Sequence, residues 1–216
     1  MERSVTAVKT GKPVGVLIVD DHPALRIGLG AMIGADSRLT VVGEAGDGSE
    51  AVAMFRTLRP DVTLMDLQMP VMTGLNALKA ICGEFPGSRI IMLTTYTGDV
   101  QATSALRAGA SGYLLKSSLR TDLVEAIMQV HRGGRYIHQE IASEIALHIG
   151  DDALRARELR TLELVANGLA NKQIAFELSV SEETVKADLR TIFAKLGVGD
   201  RTQAVMVAVR RGMITI

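Results

Sequence analysis

Val14-Gly15-Val16-Leu17-Ile18-Val19-Asp20-Asp21-His22-Pro23 is an unbroken apolar run that stops on two carboxylates and then meets a proline. Runs without polar alternation mark strands buried on both faces, the kind found in parallel sheets covered by helices. His22-Pro23 opens a helix, with proline near its first turn. Three more runs repeat the design: Val62-Thr63-Leu64-Met65 ends at Asp66, Arg89 to Leu93 ends at Thr94, and Gly112 to Leu115 ends at Lys116. Amphipathic stretches fall between and after them, over Ser49 to Leu58, Asn76 to Phe85, Val100 to Ala108 and Thr121 to His131. The succession predicts five βα units and a doubly wound α/β domain over residues 14–132.

Beyond it the pattern changes. Gly133-Gly134 ends the last helix, and residues 133–152 read as a linker with one short helix, Ile141 to Ile149. After Ala153 the strand signal disappears. Four helical segments remain, Arg155 to Asn167, Asn171 to Leu178, Glu183 to Leu196 and Arg201 to Arg211, which predict an all-α domain over 153–216. Residues 1–13 read as a flexible tail without the apolar core of a signal peptide, and no apolar run is long enough to span a membrane. A cytoplasmic protein is expected, and the single Cys82 fits a helix face in a reducing compartment. Basic and acidic residues balance at 24 each, so any contact with nucleic acid must be local rather than a matter of bulk charge.

In open α/β sheets ligands bind beyond the carboxyl ends of the strands, where strand order reverses. Asp20, Asp21, Asp66, Thr94 and Lys116 all occupy such ends. Clustered carboxylates repel one another and call for a divalent cation; Mg²⁺, which takes oxygen ligands and accepts one or two carboxylates plus a phosphate oxygen, fits. Asp66 is then placed to act as a nucleophile toward phosphorus, with Lys116 countering the charge and Thr94 bonding the new phosphoryl group. Any one aspartate alone reads equally well as a turn former or helix cap. Five such groups at strand ends together point to a phosphorylation site.

The quoted segments Val19-Asp20-Asp21, Leu64 to Pro70, Gly74-Leu75, Leu93-Thr94 and Gly109 to Lys116 make residues 14–132 resemble the receiver domain of two-component response regulators. The resemblance implies a flavodoxin-like (βα)5 fold and a phosphoacceptor at Asp66. It further implies Mg²⁺ held by Asp20, Asp21, Asp66 and the backbone carbonyl of Gln68, a switch pair Thr94 and Tyr113, and a phosphate-binding Lys116. Ser117 stands where many receivers carry proline, a departure common in one large subfamily. Bulky Tyr96, two residues past Thr94, is expected to shield the phosphoryl group and slow its hydrolysis.

In the helical part, Asn171 and Ser181 are expected N-caps, and Asp200 with Gln203 forms a pair like a capping box. Val185, Leu189, Ile192, Phe193 and Leu196 share one face; Thr184, Ala187, Arg190, Thr191 and Ala194 share the other, with Lys186 and Asp188 at the margins. A short helix followed by one with a small, polar outer face is a helix-turn-helix pattern, though a bundle with a merely solvated face shares it. Leu164 to Leu178, Val180-Ser181, Thr184-Val185-Lys186, Lys195 to Val198 and Asp200 to Ala204 resemble the LuxR-type DNA-binding domain. The whole chain then resembles NarL/FixJ-type regulators. Thr184, Lys186, Ala187, Arg190 and Thr191 are the expected DNA-facing residues. Two departures stand out: Leu154 to Glu158 lacks the usual threonine cap, and Ala187-Asp188 replaces a common Thr-His. Asp188 near phosphates is expected to weaken DNA affinity or impose selectivity. Residues 151–216 carry ten basic and nine acidic side chains, so weak binding by a monomer is expected.

The resemblance implies a non-enzymatic regulator whose partners are a sensor histidine kinase, promoter DNA, RNA polymerase and, on phosphorylation, a second copy of the chain. Thr94 would be drawn inward, vacating space for Tyr113 and changing the surface formed by the fourth helix, fifth strand and fifth helix. Two alternatives share some of these residues. Phosphatases of the haloacid dehalogenase type use an Asp-x-Asp pair on the first strand, whereas Asp20 and Asp21 are adjacent and Asp66 lies on the third. A receiver serving as an unphosphorylated interaction module would regulate normally without Asp66.

Overall fold

The computed structural model describes residues 12–95, 98–147 and 154–214. The expected N-terminal tail up to Gly11, the shielding role of Tyr96 and the end of the linker helix lie outside the described residues. The chain divides into two compact units, one of residues 1–95 and 105–138, the other of residues 96–104 and 139–216.

The first unit is a parallel sheet of β1 (Val14–Val19), β2 (Leu39–Ala45), β3 (Val62–Asp66), β4 (Ile90–Thr94), β5 (Gly112–Leu115) and β6 (Tyr136–Ile137), in the order β2-β1-β3-β4-β5-β6. The chain winds outward from β1 to β2 and then returns to β3, so strand order reverses between β1 and β3. That is the switch point where a crevice forms. The connecting helices are α1 (Pro23–Gly34), α2 (Gly48–Leu58), α3 (Gly74–Glu84) and α5 (Leu119–His131), with a 3-10 turn over Lys116–Ser118; α4 (Asp99–Arg107) follows β4 in sequence, and its residues 99–104 are grouped with the second unit. Strand side chains alternate between faces. Val16, Ile18, Leu64, Ile91, Leu93 and Leu114 pack on one side with Leu29 and Ile33 of α1 and Leu123, Ile127 and Val130 of α5. β1, β3, β4 and β5 are buried along their whole length, as the apolar runs require, whereas edge strand β2 alternates buried and exposed positions.

Two features were not visible in the pattern. β2 carries too little apolar signal to stand out, because Thr40, Val42 and Glu44 face solvent. β6 falls in the stretch read as linker. It is only two residues long, and Tyr136 and His138 donate their N–H groups to the carbonyls of Ser111 and Tyr113.

In the second unit α6 (Gln139–Leu147) precedes a helical group of α7 (Ala156–Ala166), α8 (Asn171–Glu177), α9 (Glu182–Leu196) and α10 (Arg201–Arg210). Leu162, Val165, Ile174, Val185, Leu189, Ile192, Ala204 and Ala208 form its core. Ser181 caps α9, its Oγ accepting from Thr184 N–H at 3.1 Å, and Asp200 caps α10, accepting from Gln203 N–H at 2.8 Å. Asn171 is not a cap. It is the first helical residue of α8, Ala170 occupies the cap position, and the Gln173 carboxamide accepts the Ala170 N–H at 2.8 Å. α7 likewise starts without a side-chain cap at Arg155, and Glu158 Oε2 accepts the Arg155 N–H at 2.7 Å. Side chains three positions in thus satisfy donors that an N-cap hydroxyl leaves unserved.

Candidate phosphoryl and nucleic-acid sites

Asp20 directly follows β1 and Asp66 ends β3, so the two neighbouring strands of the switch point deliver carboxylates to one crevice. Asp20 is fully buried and Asp66 is 4% exposed. Lys116, one residue past β5, reaches across with its ammonium 2.8 Å from Asp20 Oδ2 and 3.0 Å from Asp66 Oδ1. Thr94 follows Leu93, the β4 partner of Asp66, and is buried. Gln68 is exposed on the loop after β3.

That loop is held tightly. Gly74 N–H donates to Leu67 O at 3.1 Å, and a Cβ at Gly74 would overlap the Asp66 carbonyl oxygen. Only glycine permits the helix to start so close to the strand end. Val71, on the same loop, has φ +65° and is 87% exposed. A β-branched residue in the left-handed region is a strained outlier beside a functional crevice.

Burial pushes the Asp66 carboxyl above its ordinary range; Lys116 pulls it down incompletely, and the charge of Asp20 adds to the rise. Burial alone would lower Lys116, but hydrogen bonds and attraction to Asp20 and Asp66 outweigh it and hold the ammonium protonated. Asp66 is therefore a more basic oxygen than a surface aspartate, next to a permanent cation. Tyr113 lies on β5, is completely buried, and its phenol is raised by burial. Thr94 is its polar neighbour and opposes that rise, yet the phenolic oxygen has no hydrogen bond of regular geometry. The ring is already inside, so the picture of Tyr113 moving inward only after Thr94 shifts does not describe this conformer.

A cation also has a place here. One donor atom each from Asp20, Asp21, His22 and Asp66 lie within 4.8 Å of one another. The three carboxylate donors among them fit Mg²⁺, which takes oxygen ligands. His22 was read from the sequence only as a helix opener; the signal was its position directly after two aspartates. The Lys116–Ser117 peptide is not cis, and no cis peptide occurs among the described residues.

In the helical group, Lys186, Ala187, Arg190 and Thr191 are exposed and Thr184 is half-buried, so they share one outward face of α9. Asp188 does not join them. It is 7% exposed and accepts from Arg157 of α7 at 2.7 Å. Next to it Lys195 donates to Glu158 at 2.8 Å, and these bonds, with the Arg155 N–H, hold the Glu158 carboxyl below its usual range despite burial. The acid expected to repel phosphates instead ties α9 to α7, because its position, three after Val185 and four before Ile192, falls on the core side of the helix.

A cation-ready carboxylate crevice at the switch point of a doubly wound sheet, followed in sequence by a helix-turn-helix, defines a signal-receiving DNA-binding regulator. The chain matches the family described as response regulator receiver domain over residues 16–128, and bacterial regulatory proteins of the luxR family over residues 152–208. It belongs to these families and is a two-component response regulator of the LuxR-type DNA-binding class. The transcriptional regulatory protein LiaR of Bacillus subtilis (strain 168) is 39% identical over 209 residues, 93% of this chain and 99% of that protein. The response regulator protein VraR of Staphylococcus aureus (strain NCTC 8325 / PS 47) is 35% identical over 206 residues, covering 93% and 99%. Among solved structures, RcsB of Salmonella enterica serovar Typhimurium bound to promoter P1flhDC with the phosphomimetic BeF3⁻ is 26% identical, covers 91% of this chain and 98% of that one, and superposes with a TM-score of 0.72. The family is one of transcriptional regulators rather than enzymes, which removes the phosphatase alternative. No described helix is long and apolar enough to cross a membrane.

Proposed function

We propose that Asp66 is the phosphoacceptor. One Asp66 carboxylate oxygen attacks the phosphorus of a phosphohistidine on a sensor kinase, forming a P–O bond as the P–N bond breaks and the imidazole leaves with the electron pair. The observation that carries the reading is the pairing of Asp66 with Lys116 at 3.0 Å inside a crevice that Asp20 also enters. Lys116 stays protonated and faces the equatorial oxygens, where charge accumulates in phosphoryl transfer. Asp20, Asp21, Asp66 and the Gln68 carbonyl would hold Mg²⁺, which supplies charge neutralisation at the transferring group when bound.

The new group brings roughly −1.5 to −2 charges at neutral pH. The buried Thr94 hydroxyl, at the end of the neighbouring strand, would receive part of it, and turning that hydroxyl toward phosphate removes the polar neighbour of the Tyr113 phenol. Losing that neighbour costs a buried phenol roughly 1–3 kcal/mol, which couples the state of Asp66 to the Tyr113 ring. Driving such a switch from 1:99 to 99:1 needs about 5.5 kcal/mol, which requires coupling to dimerisation. Two copies then present Thr184, Lys186, Ala187, Arg190 and Thr191 to promoter half-sites about one helical turn apart, and hand the complex to RNA polymerase. Residues 14–132 and 153–216 serve as the receiving and DNA-binding parts in the cytoplasm.

The test is intact-protein mass spectrometry after incubation with acetyl phosphate and Mg²⁺. One phosphoryl adduct in the wild type and none in Asp66→Ala is expected. An adduct that survives in Asp66→Ala overturns the assignment. No adduct in either, with a control receiver modified alongside, moves the reading to an unphosphorylated interaction module.

A further inference from the structure

His22 is not among the residues needed to explain the carboxylate crevice, yet its ring lies over it. The His22 N–H donates to Asp20 Oδ1 at 2.8 Å, closing a two-residue turn that folds the side chain back toward the aspartates. Pro23 at the start of α1 fixes the chain direction that follows. His22 Nδ1 is then 2.8 Å from Asp21 Oδ1 and 3.2 Å from Asp20 Oδ1. Lys116 uses the other oxygen of Asp20, Oδ2, so the ammonium and the imidazole approach that carboxylate at different atoms.

Both His22 distances are hydrogen-bonding contacts of the ring with the carboxylates, and the same atoms lie close enough together to share a cation. In an octahedron with bonds of about 2.1 Å, adjacent ligand atoms are about 3.0 Å apart and opposite ones about 4.2 Å. The two His22 distances are of the size expected for adjacent positions, all four donor atoms lie within 4.8 Å of one another, and the His22 side chain is 69% exposed, which leaves the ring room to turn. Donor chemistry separates His22 from its neighbours. Three carboxylates make a hard oxygen site with little preference beyond charge, whereas an imidazole nitrogen suits later first-row metals, whose affinity rises toward Ni²⁺ and Cu²⁺. Mg²⁺ keeps its waters and gains little from nitrogen.

We propose that His22 is a fourth protein ligand for late first-row divalent cations in the receiver crevice, and stands aside when the cation is Mg²⁺. The proposal rests on the crevice being a divalent-cation site and adds to it a selectivity that the three carboxylates do not give. A late transition ion would hold the pocket more tightly than Mg²⁺ and would draw the turn Asp20–His22 onto the metal.

The test uses the full chain, with Mg²⁺ and Ni²⁺ titrated separately by calorimetry into wild type, His22→Ala and His22→Gln. The backbone bond from residue 22 to Asp20 survives in both variants, so the turn is not dismantled. His131→Ala and His138→Ala control for other imidazoles. We expect Ni²⁺ affinity to fall by at least about tenfold in both His22 variants, the lower end of the loss seen when even a group that only orients a ligand is removed, with Mg²⁺ affinity unchanged. Co²⁺ added to wild type should also broaden the His22 ring resonances in proton NMR, a readout that a purely structural role would not give. Equal Ni²⁺ affinity in wild type and both His22 variants overturns the proposal while leaving the Mg²⁺ reading intact. Absence of binding by either cation to wild type, together with no adduct from acetyl phosphate, overturns both.

Discussion

Lys116→Met keeps most of the side-chain volume and removes only the ammonium that stands between Asp20 and Asp66. Both carboxylates are buried, and the variant leaves them facing each other without a cation. Stripping one partner from a fully buried pair costs roughly 3–5 kcal/mol. Here Asp21 and His22 leave one side of the cluster open, with side chains 28% and 69% exposed, and Asp66 can relieve the repulsion by taking a proton. About 2 kcal/mol at neutral pH is the reasonable share of that penalty, equivalent to roughly 6–10 °C in the melting temperature of a domain this size. The sign with pH follows from Asp66. Its folded pKa already lies above the unfolded value, and losing Lys116 raises it further. A carboxyl with a raised folded pKa destabilises above that pKa, and the penalty is relieved as pH falls through it. The deficit of the variant should therefore be full above that raised pKa and shrink as pH falls through it, and Mg²⁺ should shrink it too. Scanning calorimetry of the full chain as a function of pH reads both effects. An unchanged melting temperature, or a deficit constant with pH and indifferent to Mg²⁺, refutes the argument.

Gly74→Ala forces a methyl group onto the Asp66 carbonyl; a loss of roughly 1–3 kcal/mol and slower adduct formation with acetyl phosphate are expected, and wild-type behaviour in urea unfolding would show that the loop yields freely. Val71→Gly relieves the φ +65° strain at an exposed site, so stability should rise by about 1 kcal/mol or less after the added chain entropy of glycine, as read from the urea midpoint. Arg190→Ala should weaken DNA binding and reduce the salt slope by about one counterion, measured by fluorescence anisotropy on a promoter fragment. Asp188→Ala should lower the melting temperature of the helical part, because Arg157 loses its partner; a gain in DNA affinity with no thermal change would restore the reading of Asp188 as a repulsive group at the DNA face.

The runs ending in Asp20, Asp66, Thr94 and Lys116 exposed most of the α/β architecture, because central parallel strands bury every side chain and leave their functional groups at one end. β2 escaped for the opposite reason: at a sheet edge half its residues face water and its pattern is diluted. β6 escaped because two residues carry no periodicity at all. In the helical part the core face of α9 was readable from spacing, but Asp188 was not. Helical spacing put it at a margin, and only the presence of Arg157 on α7 makes a near-buried carboxylate tolerable there. His22 shows a similar limit. Its neighbours in sequence were visible, but the fold-back of its ring depends on a backbone hydrogen bond that no residue pattern announces.

The short strand β6 bears on where this chain can be cut. A fragment ending at Arg132 would contain every residue of the carboxylate crevice and would lack Tyr136 and His138, whose N–H groups occupy the Ser111 and Tyr113 carbonyls along the rim of β5. Those carbonyls would then line an open, apolar border of Gly112 to Leu115, a ready template for another strand. Such a fragment is prone to sticking to itself through its sheets, and self-association measured on it could be mistaken for a signalling dimer. Extending the fragment through His138 removes that artefact at the expense of six residues.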